Sequence, residues 1–162
     1  MKNNLPPTEL KSNNHKNIDQ MDDFSRFDLI INSNKEAIKS AEEAKEQIQE
    51  VINQILKHLN NNNIGRIIYC GAGTSARIGV QDGSELYPTF GWPYNRLDFI
   101  IAGGNTALLR AAEEAEDNIN EALSKVKDMN INHSDVVIGL AASGNTPFTC
   151  GVLEAARSRG AL

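Results

Sequence analysis

Apolar residues follow helical spacing early in the chain and then collect in three short blocks. From Ser33 onward, Ile38, Ala41, Ala44 or Lys45, Ile48, Val51, Ile52, Ile55 and Leu59 recur at helical spacing. Asn32 or Ser33 can cap a helix there, and Glu36 stands three residues after Ser33 as a capping box requires. This predicts one helix of about 25 residues over 33–59, longer than the usual globular helix. It ends in the run Asn60-Asn61-Asn62-Asn63. Such a length suits a helix that packs along a whole domain or against a second copy of itself.

The three blocks are Arg66–Cys70, Leu97–Ala102 and Val136–Ala141. Each reads as a buried strand that runs into a turn: Gly71-Ala72-Gly73-Thr74-Ser75, Gly103-Gly104, and Ala142-Ser143-Gly144-Asn145-Thr146-Pro147. Helices are expected after each, from about Ala76, over 106–127, and over 148–158 with Gly160 closing the last. Strand, glycine turn and helix, repeated, predict an α/β fold: a parallel sheet sandwiched by helices. A typical sheet has about five strands or more. The pattern is therefore expected to be the first part of a larger domain, whether a fragment, a truncated product or half of a split enzyme.

Residues 1–31 form a separate arm, with Pro6, Pro7, many Asn and isolated apolar residues. It reads equally as an arm lying over another surface or as a leader with one short helix near Phe24–Ile30. The expected organisation is thus an arm over 1–31 and an incomplete α/β domain over 32–162.

Charge and cysteine content narrow the class. Sixteen Lys+Arg against twenty-one Asp+Glu leave a net charge of −5, which argues against a nucleic-acid partner. No apolar run approaches the ~18 residues of a membrane span, and the first thirty residues lack an apolar signal core. Cys70 and Cys150 are too few for a disulfide framework or a zinc site, and Cys70 reads as a small buried residue. A soluble, cytoplasmic chain with no structural metal is expected.

Ligands of open parallel sheets bind beyond the carboxyl ends of the strands, where all three turns lie. The first turn, with Gly73, Thr74 and Ser75, opens a helix whose N–H groups and dipole favour an anion. Ser143, Gly144, Asn145 and Thr146 repeat the design, so the pair reads as a cradle for a phosphate on a small molecule. Neither turn is a Walker loop, and the dinucleotide fingerprint fails because position 76 is Ala. No acidic residue ends the second strand to hold a ribose.

Two carboxylates are candidate catalysts. Glu85 lies in Gln81–Pro93, a stretch dense in aromatics and prolines, where apolar surroundings suit an acid catalyst. Glu116 belongs to the acidic run Glu113-Glu114-Ala115-Glu116-Asp117. On the expected helix it falls about 80° from the apolar stripe, nearer the buried edge than its acidic neighbours. The three histidines, His15, His58 and His133, read as surface groups.

With these residues identified, the chain resembles the N-acetylmuramic acid 6-phosphate etherases of the sugar isomerase (SIS) domain superfamily. The resemblance rests on the 71–80 segment, Asp82-Gly83-Ser84-Glu85 with Pro88-Thr89-Phe90-Gly91, Ile101-Ala102-Gly103-Gly104, Ala115-Glu116-Asp117 and Ala141–Pro147, in order and spacing. It extends into the arm and covers about the first half of a usual member. It implies a SIS-type sheet and cleavage of a D-lactyl ether, giving N-acetylglucosamine 6-phosphate and D-lactate, in cell-wall sugar recycling and without metal, nucleotide or other cofactor. Lactate leaves by elimination, and water then adds. Glu85 would protonate the departing ether oxygen, and Glu116 would remove the proton beside the aldehyde. Gly73, Thr74, Ser75, Ser143, Gly144, Asn145 and Thr146 would hold the phosphorylated amino sugar.

The resemblance also implies a homodimer with sites near the subunit interface, for which the long helix over 33–59 is a reasonable element, and a separate chain supplying the missing half is a second partner to expect. Ala76 stands for the family's usual glycine, Gly83 for its alanine, Leu86-Tyr87 for Cys-Pro, and Asn145 for a common arginine. A catalytically silent sugar-phosphate binder and a SIS-type sugar-phosphate isomerase are the other classes weighed.

Overall fold

The computed structural model describes residues 17–162, so the arm's residues 1–16 lie outside the described residues. Two compact units divide at Gln54 and Ile55. In the first, helix α1 covers Asp23–Glu43. Its cap is Asp22, whose carboxylate accepts the Ser25 N–H at 3.0 Å and the Ser25 hydroxyl at 2.6 Å. The helix therefore starts well before the expected Ser33 cap, because no glycine or proline interrupts residues 23–33. The segment Phe24–Ile30, expected as a short separate helix, is the first part of α1. Ala44 then breaks the helix, and α2 runs Lys45–Asn60. Nothing in the sequence at Ala44 explains the break. No residue of α1 is buried, and α2 buries Leu59.

The second unit holds the sheet. Strands β1 (Ile67–Gly71), β2 (Leu97–Ile101) and β3 (Val136–Leu140) run parallel in the order β2-β1-β3. Gly71 pairs with Ile101 on one side and Leu140 on the other. Helix α3 (Gly73–Ser84) covers one face, and α5 (Ile119–Asp128) and α6 (Pro147–Ser158) cover the other. Side chains alternate accordingly. Ile68, Cys70, Ile100 and Val137 meet Val126, Phe148 and Val152 on the α5–α6 face. Phe99 and Ile101 meet Ala76 and Val80 of α3 on the other. Along the chain between α3 and β2, Leu86–Phe90 forms the short helix α4.

The helix expected over 106–127 is not continuous. Two 3-10 turns, Asn105–Leu108 and Ala115–Asp117, precede α5. Glu114 takes a left-handed φ of 60°, and the Asn118 side chain caps α5 by accepting the Glu121 N–H at 3.0 Å. Local capping by Asn118 thus overrides the helix propensity of the Ala/Glu-rich run.

The amino end of the sheet is tied by charge. Asp135, 2% exposed, accepts from Arg66 Nη2 at 2.9 Å and Nε at 3.1 Å, and from the backbone N–H groups of Arg66 and Asn132, each at 3.1 Å. Arg66 also donates to Asp98 at 3.0 Å and to the Met129 carbonyl at 3.0 Å. Burial works to raise the Asp135 pKa, but these hydrogen bonds and the guanidinium charge outweigh it and hold the carboxyl below its ordinary value. The hydrogen bond to Asp135 in turn raises the Arg66 pKa.

Candidate active site

The carboxyl end of the sheet is built from turns. After β1 the chain enters α3 through Gly73, at φ 54°, and after β3 it turns at Gly144, at φ 70°. No heavy atom stands within 4 Å of where a Cβ would sit at either glycine. The left-handed backbone, and not crowding, is what asks for glycine there. Because Gly71 and Leu140 are register partners, both turns leave the same edge of adjacent strands.

A cavity of about 270 Å³ opens beside the first turn. Gly73, Thr74, Arg77, Ala112, Glu113 and Glu116 are among its walls. The N-terminus of α3 thus faces the same space as the Glu116 carboxylate, so an anion and a proton acceptor have neighbouring places. Arg77 was not singled out from the sequence. Its Nε and Nη2 donate to the Leu108 and Ala107 carbonyls at 3.0 and 2.9 Å, which fixes the Asn105–Leu108 turn against α3. The available signal was a cation one turn into a helix that opens on a glycine loop. Glu116 sits on the short 3-10 turn, so it reaches the cavity by a different route from the helical stripe expected for it.

Ser75 and Ser143 are half-buried, while Gly144 and Asn145 are exposed. The Ser143 hydroxyl accepts the Asn145 N–H at 3.2 Å. Thr146 is the residue before α6, and its side chain makes no cap bond. None of these five lines the Glu116 cavity. Nearby, the Cys150 thiol donates to the Gly144 carbonyl at 3.6 Å.

Glu85 is elsewhere. It ends α3, whose twelve residues span about 18 Å at ~1.5 Å per residue, so it stands at the opposite end of that helix from Gly73. The carboxylate is exposed, with the Thr89 hydroxyl donating to it at 3.4 Å, and lacks the apolar enclosure the sequence led us to expect. Exposed aromatics lie close to it in sequence: Phe90, and Tyr87 stacked on Tyr94 with centroids 4.1 Å apart. Within one chain, then, Glu116 joins Gly73 and Thr74, and Glu85 does not.

Comparison with known proteins gives a consistent picture. The family described as the glucokinase regulatory protein N-terminal SIS domain matches residues 47–157. An N-acetylmuramic acid 6-phosphate etherase of Christiangramia forsetii is 39% identical across 100% of this chain and 58% of its own length. One of Bacteroides fragilis is 43% identical over 89% of this chain and 52% of its own. One of Nostoc punctiforme is 39% identical over 95% and 49%. The chain spans about half the length of the curated relatives it matches. Among solved structures, phosphoheptose isomerase from Neisseria gonorrhoeae superimposes with a TM-score of 0.57 at 22% identity, over 83% of this chain and 70% of that one, which shows the shared fold.

Proposed function

Since this chain belongs to the family of the glucokinase regulatory protein N-terminal SIS domain, we propose that it is the amino-terminal half of an N-acetylmuramic acid 6-phosphate etherase, a carbon–oxygen lyase of cell-wall sugar recycling in the cytoplasm. The observation that carries this reading is the cavity in which Glu116 faces Gly73 and Thr74 at the start of α3. In the open-chain sugar the proton beside the aldehyde is acidic enough for a positioned carboxylate, and Glu116 takes it. The electron pair moves to form the carbon–carbon double bond, and the neighbouring carbon–oxygen bond to lactate breaks. Glu85 gives its proton to the departing oxygen; as water then adds, Glu85 draws a proton from it, the hydroxyl bonds to the carbon that lost lactate, and Glu116 returns its proton to the carbon beside the aldehyde. The Gly73–Ser75 and Ser143–Thr146 turns hold the phosphate and sugar hydroxyls.

Glu85 stands apart from the cavity in a single chain, so this reading requires a second copy to bring it there. Two features support a homodimer. Tyr87, Phe90 and Tyr94 are exposed near Glu85, and Ile48, Val51, Ile52 and Leu56 remain exposed along α2.

The test is D-lactate release from N-acetylmuramic acid 6-phosphate by the full chain, alone and co-expressed with the carboxyl-terminal half of a relative. Turnover abolished by Glu85→Ala, and restored on mixing Glu85→Ala with Glu116→Gln subunits, is the expected result. Sugar-phosphate binding without lactate release by either preparation would overturn it.

A further inference from the structure

The cavity that Glu116 lines has one cation in its wall, Arg77, set against Glu113, Glu114 and Glu116. Arg77 nevertheless makes no ion pair among the described residues. Its side chain is half-buried, and its Nε and Nη2 donate to the Leu108 and Ala107 carbonyls. Those acceptors are neutral, so they fix the plane of the guanidinium and leave its charge unmatched. They also occupy only one edge of the group. The other edge, Nη1 with the second N–H of Nη2, has no partner among the described residues. The segment that carries the carboxylates has its own anchor. A Cβ at Gly103 would stand 2.7 Å from that of Ala112 and 3.3 Å from that of Ala115, so this run packs directly on the glycine that follows β2. Cation and carboxylates thus face one space from separate supports.

A guanidinium locked in one orientation with one edge unused is prepared for a planar anion, and a carboxylate matches its two parallel N–H donors. Position narrows the choice of anion. Arg77 follows Gly73 by four residues, which is one turn or about 6 Å along α3. The start of that helix is the place given above to the phosphate. A ligand that reaches both carries two anionic groups about one helical turn apart. We propose that Arg77 determines specificity by holding the carboxylate of the lactyl group while the Gly73–Ser75 turn holds the phosphate. This rests on the etherase reading, whose substrate has a phosphate at one end and a lactyl carboxylate next to the bond that breaks. It extends that reading by giving the second anion a partner of its own. The same contact keeps the substrate carboxylate from being repelled by the three glutamates. It also lines the ether bond up with the cavity that Glu116 enters. Once the bond breaks, the sugar no longer has this hold.

The test is a binding titration of the full chain carrying Glu116→Gln, so that no lactate is released. The ligands are N-acetylmuramic acid 6-phosphate, its lactyl methyl ester and N-acetylglucosamine 6-phosphate. The ester keeps the bulk of the lactyl group and removes its charge. The acid is expected to bind about tenfold or more tightly than either of the others, as one charge-assisted hydrogen-bonded pair would give. Adding Arg77→Gln, which keeps a donor for the turn and removes the charge, should erase that preference and leave the other two affinities unchanged. Equal affinity for acid and ester, with N-acetylglucosamine 6-phosphate still bound, would overturn the assignment and leave the phosphate cradle standing. A loss shared by all three ligands in Arg77→Gln would overturn it too, and would put Arg77 on the phosphate. Binding of none of the three by a chain folded by circular dichroism would overturn the cradle and this assignment together. Were Arg77→Gln to fail to fold, the comparison of acid with ester in the chain that keeps Arg77 decides alone.

Discussion

The two ends of the sheet are held by opposite means. At the amino end, Arg66 and Asp135 close a network in which nearly every polar atom has a partner. At the carboxyl end, exposed turns with left-handed glycines carry hydroxyls, and polar side chains such as Thr146 make no cap bond. One end uses its polar groups to hold strands together, and the other, with only a local Asn145-to-Ser143 bond, leaves more of them without partners. Binding surfaces need unpaired groups, and those contribute little to stability while empty.

Breaking the amino end should have the largest effect. Asp135→Ala leaves the Arg66 guanidinium and two backbone N–H groups without their buried acceptor, and should cost about 3–5 kcal/mol by urea denaturation. A loss under about 1 kcal/mol would mean that water replaces the carboxylate and that the two ends are alike. At the carboxyl end, Glu116→Gln should lower D-lactate release about 100-fold or more while moving stability by no more than about 0.5 kcal/mol. A large stability change there would assign Glu116 to structure.

Acid sharpens the contrast. The Asp135 pKa is depressed in the fold, so its stabilisation is fully present above about pH 5 and is lost as pH falls through the ordinary carboxylate value toward the folded one. Urea midpoints should drop between about pH 5 and pH 3 in the wild type, and Asp135→Asn should flatten that dependence. The smallest effect is expected at Ser143→Ala, within about 0.5 kcal/mol of wild type in stability, with sugar-phosphate affinity weakened in a binding titration.

The strands and glycine turns were legible because β-branched runs that end in glycine have few other solutions. Ile67–Gly71, Leu97–Ile101 and Val136–Leu140 match the three apolar blocks to within a residue or so. Helix limits were harder to read. Ser33 with Glu36 imitates a capping box in the middle of α1, while the Asp22–Ser25 pair makes the actual cap. The run around Glu113–Asp117 has strong helix formers, yet a positive φ at Glu114 and the Asn118 cap divide it. Glu116 was expected near the buried edge of a long helix; it lines the cavity instead from the short Ala115–Asp117 turn. The separation of Glu85 from Glu116 was missed, since the position of the Glu116 turn in the fold, beside the start of α3 and not its end, cannot be read from spacing along the chain.

The two cysteines give this contrast a practical use. Burial, and then its neighbour Cys150, pushes the Cys70 thiol up to about 12, so it stays protonated within the sheet. Cys150 lies against the Gly144 turn and is partly exposed. A maleimide dye should therefore attach once per folded molecule and twice after denaturation. The single label would report occupancy of the neighbouring loop as a change in fluorescence, with no residue engineered in.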